Sequence, residues 1–235
     1  MVRPVPRPPA PRARQSLRSR ALDARGRLPG RRRRLVPPRR LQVAADGDFV
    51  ATGEEFLSHL VALCGLRPED RVLDVGCGTG RLARPLAGFL SIDGAYAGLD
   101  ASADGIAWCT RRYRHLPHFR FLHADVRHPR FNPGGAEEAV GYTFPFDDGS
   151  FDVAALISVL THLTEEETLH YLGQVRRLLA PGGRVLATAE VAGEREEWLL
   201  ETLRGAGLDL VELHPGTWSG RAEGLSDHDV VVARA

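Results

Sequence analysis

The sequence predicts an α/β fold built on a mostly parallel sheet, and three observations carry that reading. From Thr52 to the C-terminus, short apolar, β-branched runs alternate with segments of helical period. A glycine-rich turn, Gly76-Cys77-Gly78-Thr79-Gly80, joins the first run to the helix after it. The last two runs are joined through His214-Pro215-Gly216-Thr217-Trp218-Ser219-Gly220-Arg221, which implies that an antiparallel strand finishes the parallel sheet.

Thr52-Gly53-Glu54-Glu55 has the pattern of a capping box, and Phe56, Leu57, Leu60, Val61 and Cys64 follow at helical spacing. Val72-Leu73-Asp74-Val75 reads as a strand buried on both faces. Leu82 to Leu90 is the next helix, with Pro85 close enough to its start to be tolerated. A strand over Tyr96–Leu99 ends in Asp100, a helix runs from Ser102 through Ile106, Trp108 and Cys109, and a third strand, Phe119–Leu122, leads into His123-Ala124-Asp125-Val126. Residues 127–143 form a turn-rich insertion around Phe131-Asn132-Pro133-Gly134-Gly135, followed by a fourth strand, Phe151–Ile157.

Thr164-Glu165-Glu166-Glu167 is a second capping box, and Arg176 and Arg177 close its helix with the sign the helix dipole favours. Pro181-Gly182-Gly183 turns into a fifth strand, Arg184–Ala189. A helix over Glu194–Ala206 stops at Gly207, and Leu208–Leu213 and Asp229–Ala233 complete the strands.

Composition divides the chain. Residues 1–40 hold fourteen Arg and one acid, Asp23, leaving 17 basic against 29 acidic side chains, a net −12, in residues 41–235. Residues 1–35 read as a disordered Arg/Pro-rich tail, with three explanations open: a solvated tail, an arm touching RNA or an anionic surface, or translated upstream sequence. Residues 36–235 read as one domain whose acidity disfavours broad nucleic-acid binding. Cys64, Cys77 and Cys109 lack the spacing of a zinc or redox site, so no metal is expected and a reducing compartment, the cytoplasm, is. No apolar run has the length of a membrane helix.

The glycine turn identifies a ligand class. A dinucleotide fingerprint would place a third glycine where Arg81 stands, and Asp74, just before the loop, would repel a pyrophosphate. The same carboxylate attracts a ligand carrying an ammonium and a sulfonium, by about 4 kcal/mol for a pair ~4 Å apart at an effective dielectric near 20. The favoured ligand is S-adenosylmethionine. Asp100 lies where a βαβ unit sets an acid against ribose hydroxyls, although the start of a helix at Ser102 also gives it a capping role. Asp125 is a third acid at a third strand end, and the three together outline one nucleoside ligand.

Asp74-Val75-Gly76-Cys77-Gly78-Thr79-Gly80 resembles the first motif of the class I S-adenosylmethionine-dependent methyltransferases. The proline-containing Phe144–Ser150 segment, the run Arg176–Leu186, and Ser158-Val159-Leu160-Thr161-His162-Leu163 extend the likeness over residues 36–235. The resemblance implies a Rossmann-like seven-stranded sheet of order 3-2-1-4-5-7-6, strand 7 antiparallel, with helices on both faces. It implies cofactor contacts from Asp74, Gly76, Cys77, Gly78, Gly80, Asp100, Ala101 and Ser158, with Asp125 on the exocyclic amine of adenine and Val126 against the ring. Only Glu190–Gly193 follows the fifth strand, where relatives carry a longer insert.

Methyl transfer from a sulfonium needs alignment more than activation, and a base only where the acceptor must lose a proton. His162, just past the fourth strand, is the candidate base or acceptor-orienting residue, its competing role being to cap the turn. His123 is expected to pack near the cofactor, His170 on the surface, and His214, Trp218 and Arg221 to pack or to line the pocket. No Asn/Asp-Pro-Pro-aromatic motif follows the fourth strand, which disfavours DNA. The expected function is methyl transfer to a small-molecule or other non-DNA acceptor. Weighed against it are an RNA methyltransferase using the basic arm, a noncatalytic cofactor-binding protein, and a nicotinamide oxidoreductase, which Asp74 and Arg81 oppose.

Overall fold

The computed structural model describes residues 35–42, 48–191 and 193–235. Strands β1 (Arg71–Val75), β2 (Ala95–Asp100), β3 (Phe119–His123), β4 (Phe151–Leu156), β5 (Leu179–Ala189), β6 (Asp209–His214) and β7 (Asp229–Arg234) form one sheet in the order β3-β2-β1-β4-β5-β7-β6. The first five run parallel, and β7 is antiparallel to both β5 and β6, as the sequence and its resemblance imply. The helices are α1 (Phe49–Leu63), α2 (Ala83–Phe89), α3 (Ala103–Tyr113), α4 (Glu165–Leu178) and α5 (Glu194–Gly205).

Successive residues of the central strands enter opposite apolar layers, as the two-residue period of a strand requires. Val153, Ala155 and Ile157, with Val230 and Val232 of β7, join Leu60 of α1, Leu86 of α2 and Trp108 of α3 in one layer. Ala154, Leu156, Val231 and Ala233 join Leu172 and Val175 of α4 and Leu199 of α5 in the other. Covering both faces this way is what lets the parallel strands read as continuous apolar runs.

Three local expectations are revised. Helix α1 begins at Phe49, because Asp48 caps it by accepting from the amides of Val50 and Ala51 at 2.8 and 2.7 Å, and Thr52 falls inside the first turn. Strand β5 begins at Leu179 rather than Arg184, and Pro181-Gly182-Gly183 bulges out of it as a local turn. Gly182 takes φ +77°, the β4–β5 register shifts between Phe151 and Val153, and Gly182 and Gly183 exchange backbone bonds with Ala235. Arg176 and Arg177 do more than complement the dipole. Arg177 donates to the carbonyls of Phe144 and Phe146 and to Asp148, pinning the lead-in to β4, and Arg176 donates to the carbonyl of Gly207. The capping box at Thr164 and Glu167 forms as expected.

The tail expected over residues 1–35 lies outside the described residues except for Leu35, which is 5% exposed and belongs to the layer beneath α1.

Asp229, 1% exposed at the start of β7, organises the link from β6. Its Oδ1 accepts from the Gly216 amide (2.6 Å) and Arg221 Nη1 (3.2 Å), and its Oδ2 from Trp218 Nε1 (2.8 Å) and the Val191 amide (2.8 Å). Gly216 is required there, because a Cβ would stand 2.3 Å from the backbone of His228. Truncating this carboxylate leaves buried backbone donors unpaired, while the exposed Arg221 guanidinium turns to water, so Asp229→Ala is expected to lower the unfolding free energy by about 2–3 kcal/mol. Urea midpoints measure it, and a loss under about 1 kcal/mol would mean that the link is held by other contacts.

Candidate active site

The C-terminal ends of β1, β2 and β4 open on a cavity of about 190 Å³, at the sheet edge where open α/β folds bind ligands. The glycine turn forms its floor. Gly76, Gly78 and Gly80 take φ of +75°, +53° and +80°, and the amides of Gly76 and Cys77 both donate to the Leu99 carbonyl at the end of β2. A Cβ on Gly76 would meet Val159 Cγ2 at 2.5 Å, whereas one on Gly78 would have nothing within 4 Å. The first glycine is thus demanded by packing, and the second leaves bare backbone on the cavity.

Two carboxyls stand at this end, Asp74 buried and Asp100 half-buried. Asp74, 3% exposed, accepts from the Tyr96 hydroxyl at 2.6 Å. Burial pushes its pKa up to about 7; the Tyr96 hydrogen bond and Arg81 oppose the rise, and Asp100 adds to it. Asp100 is also raised by burial, against amide donation from Ser102 (2.7 Å to Oδ1) and Gly78 (2.6 Å to Oδ2). It therefore clasps the glycine turn to the head of α3. The N-cap of that helix is Ser102, whose hydroxyl accepts from Gly105. Arg81 lines the cavity, with burial drawing its pKa down, and burial drives the Cys77 thiol far above its usual range, keeping it protonated.

Of the residues singled out in the sequence, Asp74, Gly76, Cys77, Gly78, Asp100, Ala101, Val126, Ser158 and His162 line this one cavity. Gly80 and Asp125 do not. Gly80 lies behind the turn, where a Cβ would press on Cys109 Sγ and the Tyr113 hydroxyl at 3.2 Å each. Asp125 is exposed, and its Oδ1 accepts from Asn132 Nδ2 at 2.9 Å. His123 is exposed and bonded to the Ala101 carbonyl, and His170 is bonded to the Tyr142 carbonyl. His214 pairs with Glu212, while Trp218 and Arg221 hold Asp229 away from the cavity lining.

The remaining lining comes from residues that sequence reasoning passed over. Leu41, Gln42 and Phe49 form a wall contributed by the N-terminal segment, His128 and Phe131 come from the insertion after β3, and Tyr171 comes from α4. Ser158 is the one non-glycine residue with positive φ among the described residues, at +57°, and its amide donates to Thr188 Oγ1 at 2.7 Å. A left-handed residue costs roughly 1–2 kcal/mol, a strain that Thr188, fully buried on β5, helps to fix in place. His162 closes the 3-10 turn Leu160–His162 and sets its ring edge-on to His128, centroids 6.2 Å apart.

Residues 72–183, the segment that supplies the glycine turn, the carboxyls Asp74 and Asp100 and the histidines His128 and His162, match the family model of a methyltransferase domain. By that match residues 72–183 belong to the methyltransferase domains, in accord with the likeness of the sequence to the class I S-adenosylmethionine-dependent family. It is 36% identical over 118 residues to a fatty-acid O-methyltransferase of Mycolicibacterium smegmatis, half of this chain and 36% of that protein. It is 32% identical over 120 residues to an uncharacterized 37.1 kDa protein in transposon TN4556 of Streptomyces fradiae, 51% of this chain and 30% of that one. The matched region thus spans about a third of the length of these relatives. A SAM dependent methyltransferase from Aquifex aeolicus shares the fold at TM-score 0.55 and 18% identity, covering 86% of this chain and 95% of that one.

The residues lining the cavity fit that family's cofactor, S-adenosylmethionine. A desolvated carboxyl at Asp74 with a single hydroxyl donor suits a cationic amino-acid head, the open backbone at Gly78 admits close approach, and Ala124 and Val126 give an apolar surface for a ring.

The raised Asp74 carboxyl has a consequence for the free protein. Between about pH 4 and about pH 7 the folded state holds a proton that the unfolded state has released, so this group's contribution makes stability fall as pH rises through that window. Unfolding midpoints of wild type and Asp74→Asn are expected to diverge across it by up to about 1.4 kcal/mol per pH unit, with the wild type losing ground as pH rises. Parallel curves would show an ordinary carboxylate.

Proposed function

We propose that this domain transfers a methyl group from S-adenosylmethionine to a small-molecule acceptor, and that DNA is not its substrate. The observation that carries the reading is that Leu41, Gln42 and Phe49 line the same cavity as Asp74, Asp100, His128, Phe131 and His162, a concave, largely apolar lining that suits a compact acceptor. The O-methyltransferase relative is named for a fatty acid, a small acceptor of that scale.

In this reading Asp74 faces the ammonium, Gly76, Cys77 and Gly78 bed the amino-acid chain, and Asp100 with Ala101 receives the ribose. Val126 packs on the adenine, Asp125 at the rim reaches its amine with the oxygen that Asn132 does not use, Gly80 shapes the turn, and Ser158 borders the reacting end. The bound cofactor supplies an electrophilic methyl on sulfur: an acceptor lone pair bonds to that carbon, the C–S pair returns to sulfur, and S-adenosylhomocysteine is released. His162 takes the acceptor's proton where there is one to lose, and the wall excludes water.

Calorimetry is expected to show binding of S-adenosylhomocysteine and none of NADH; the opposite pattern would overturn the proposal. Affinity for S-adenosylhomocysteine is expected to rise roughly tenfold from pH 6 to pH 7.5 as Asp74 ionises toward the ammonium, and to stay flat in Asp74→Asn. Asp100→Asn is expected to weaken binding by about tenfold or more, whereas His162→Ala leaves it within a few fold and slows single-turnover transfer by on the order of a hundredfold.

Fourteen arginines in residues 1–40, directly before the wall segment, favour a second reading, an RNA methyltransferase that uses a basic arm. Transfer of labelled methyl into bulk RNA by the full chain, lost on deleting residues 1–34, would select it.

A further inference from the structure

The insertion after β3 is built to present one imidazole. The amides of His128 and Asn132 exchange bonds with each other's carbonyls at 3.0 Å, closing a turn. Asn132 Nδ2 ties that turn back to Asp125 Oδ1 (2.9 Å) and to the Val126 carbonyl (3.2 Å), and Glu137 pairs with Val126 on its far side. Gly135 seats against this backbone so closely that a Cβ would stand 2.4 Å from the Arg127 nitrogen. Within the turn, His128 Nδ1 accepts from the amides of Arg130 (3.1 Å) and Phe131 (3.2 Å), and its ring packs on Phe131 with centroids 4.6 Å apart. A ring nitrogen that accepts two amide hydrogens carries none of its own, so the imidazole proton resides on Nε2.

We propose that His128 is an acceptor-binding residue, a neutral imidazole fixed as the Nε2–H tautomer that donates to the attacking atom, and that this donor selects an oxygen acceptor over an amine. The inference rests on the small-molecule methyltransferase reading. Its logic is lone-pair arithmetic. A hydroxyl or carboxyl oxygen accepts the His128 hydrogen bond with one lone pair and attacks the methyl with another, while a neutral amine has one pair and loses it to the donor. In the transfer the oxygen's pair forms the bond to the methyl carbon, the C–S pair stays on sulfur, and a hydroxyl proton passes to His162. His128 cannot take that proton, because its Nδ1 is occupied and its Nε2 already bears hydrogen.

The charges around the ring act in both directions. His162, on the turn after β4, and Arg130, in its own loop, disfavour a second proton, while Asp100 at the end of β2 and Glu167 of α4 favour one. Burial is the largest influence and holds the ring below the usual histidine range. The neighbouring surface from Phe131, Phe49 and Tyr171 suits an aromatic or other apolar body behind the oxygen.

Two measurements test this on the full chain. Long-range 15N–1H correlation spectra, with the His128 signal assigned by its loss in His128→Phe, are expected to show a neutral Nε2–H ring at pH 7; an Nδ1–H ring or an imidazolium overturns the proposal without any acceptor in hand. Calorimetry with 4-methylphenol and 4-methylaniline, both uncharged at pH 7, is then run on protein saturated with S-adenosylhomocysteine. The phenol is expected to bind about tenfold or more tightly than the amine, and His128→Phe to abolish that preference. Equal binding, preference for the amine, or binding of neither overturns the oxygen-acceptor assignment. Failure of S-adenosylhomocysteine itself to bind overturns the methyltransferase reading instead.

Discussion

Desolvated carboxyls at the ends of adjacent parallel strands are the constraint around which this site is organised. A carboxylate removed from water is costly unless donors or a cation replace the solvent. Asp100 receives two backbone amides, and each is the end of an element: Gly78 belongs to the glycine turn and Ser102 to the start of α3. Satisfying one side chain thereby fixes the turn over the strand ends and sets the angle at which α3 leaves. Among the described residues Asp74 accepts from the Tyr96 hydroxyl alone, and its carboxyl stays pushed up to about 7. Under the proposed function, a cationic ligand head meets this carboxyl beside Arg81.

Backbone strain gathers at the same edge. Gly76 cannot carry a Cβ without striking Val159, Ser158 holds a left-handed conformation, and both meet where β1 and β4 end. The buried Thr188 hydroxyl on β5 accepts the Ser158 amide, so the strain is braced from the neighbouring strand. A cavity floor fixed this way from β1, β2, β4 and β5 does not need to move to accept a ligand, and pre-organisation of this kind is what in-line displacement asks of a protein.

The sheet was legible because its signals are local. Strands buried on both faces read as apolar runs, a left-handed turn needs glycine, and an acid that ends a strand stands out after such a run. Asp74, Gly76, Gly78 and Asp100 were found in this way. Register and capping were less legible: Asp48 displaced Thr52 as the α1 cap, and the Pro181-Gly182-Gly183 turn lies inside β5 and bonds to the C-terminal Ala235, a long-range pairing that no local pattern encodes. Asp125 shows the same limit. Its place after a strand was visible, but the Asn132 side chain that takes one of its oxygens comes from the folding of the insertion. The Gly216–Trp218–Arg221 link stood out in sequence, yet its partner, Asp229, was invisible as such until the chain closed on it.

The parts of the lining that stayed hidden share a physical origin. His128 and Phe131 arrive through a turn closed by its own backbone, and Leu41, Gln42 and Phe49 arrive from before the first strand, in positions set by tertiary packing rather than by period. The region matched to the family, residues 72–183, contains the carboxyls and both histidines but ends short of that wall. The part of the lining that comes from strand ends is thus written in elements common to the fold, and the rest is assembled from one insertion inside the match and one segment outside it. Under the proposed function, acceptor choice then depends on two pieces of chain that can change without disturbing the sheet, while the tautomer of His128, set by backbone amides of its own loop, is carried intact wherever that turn is kept.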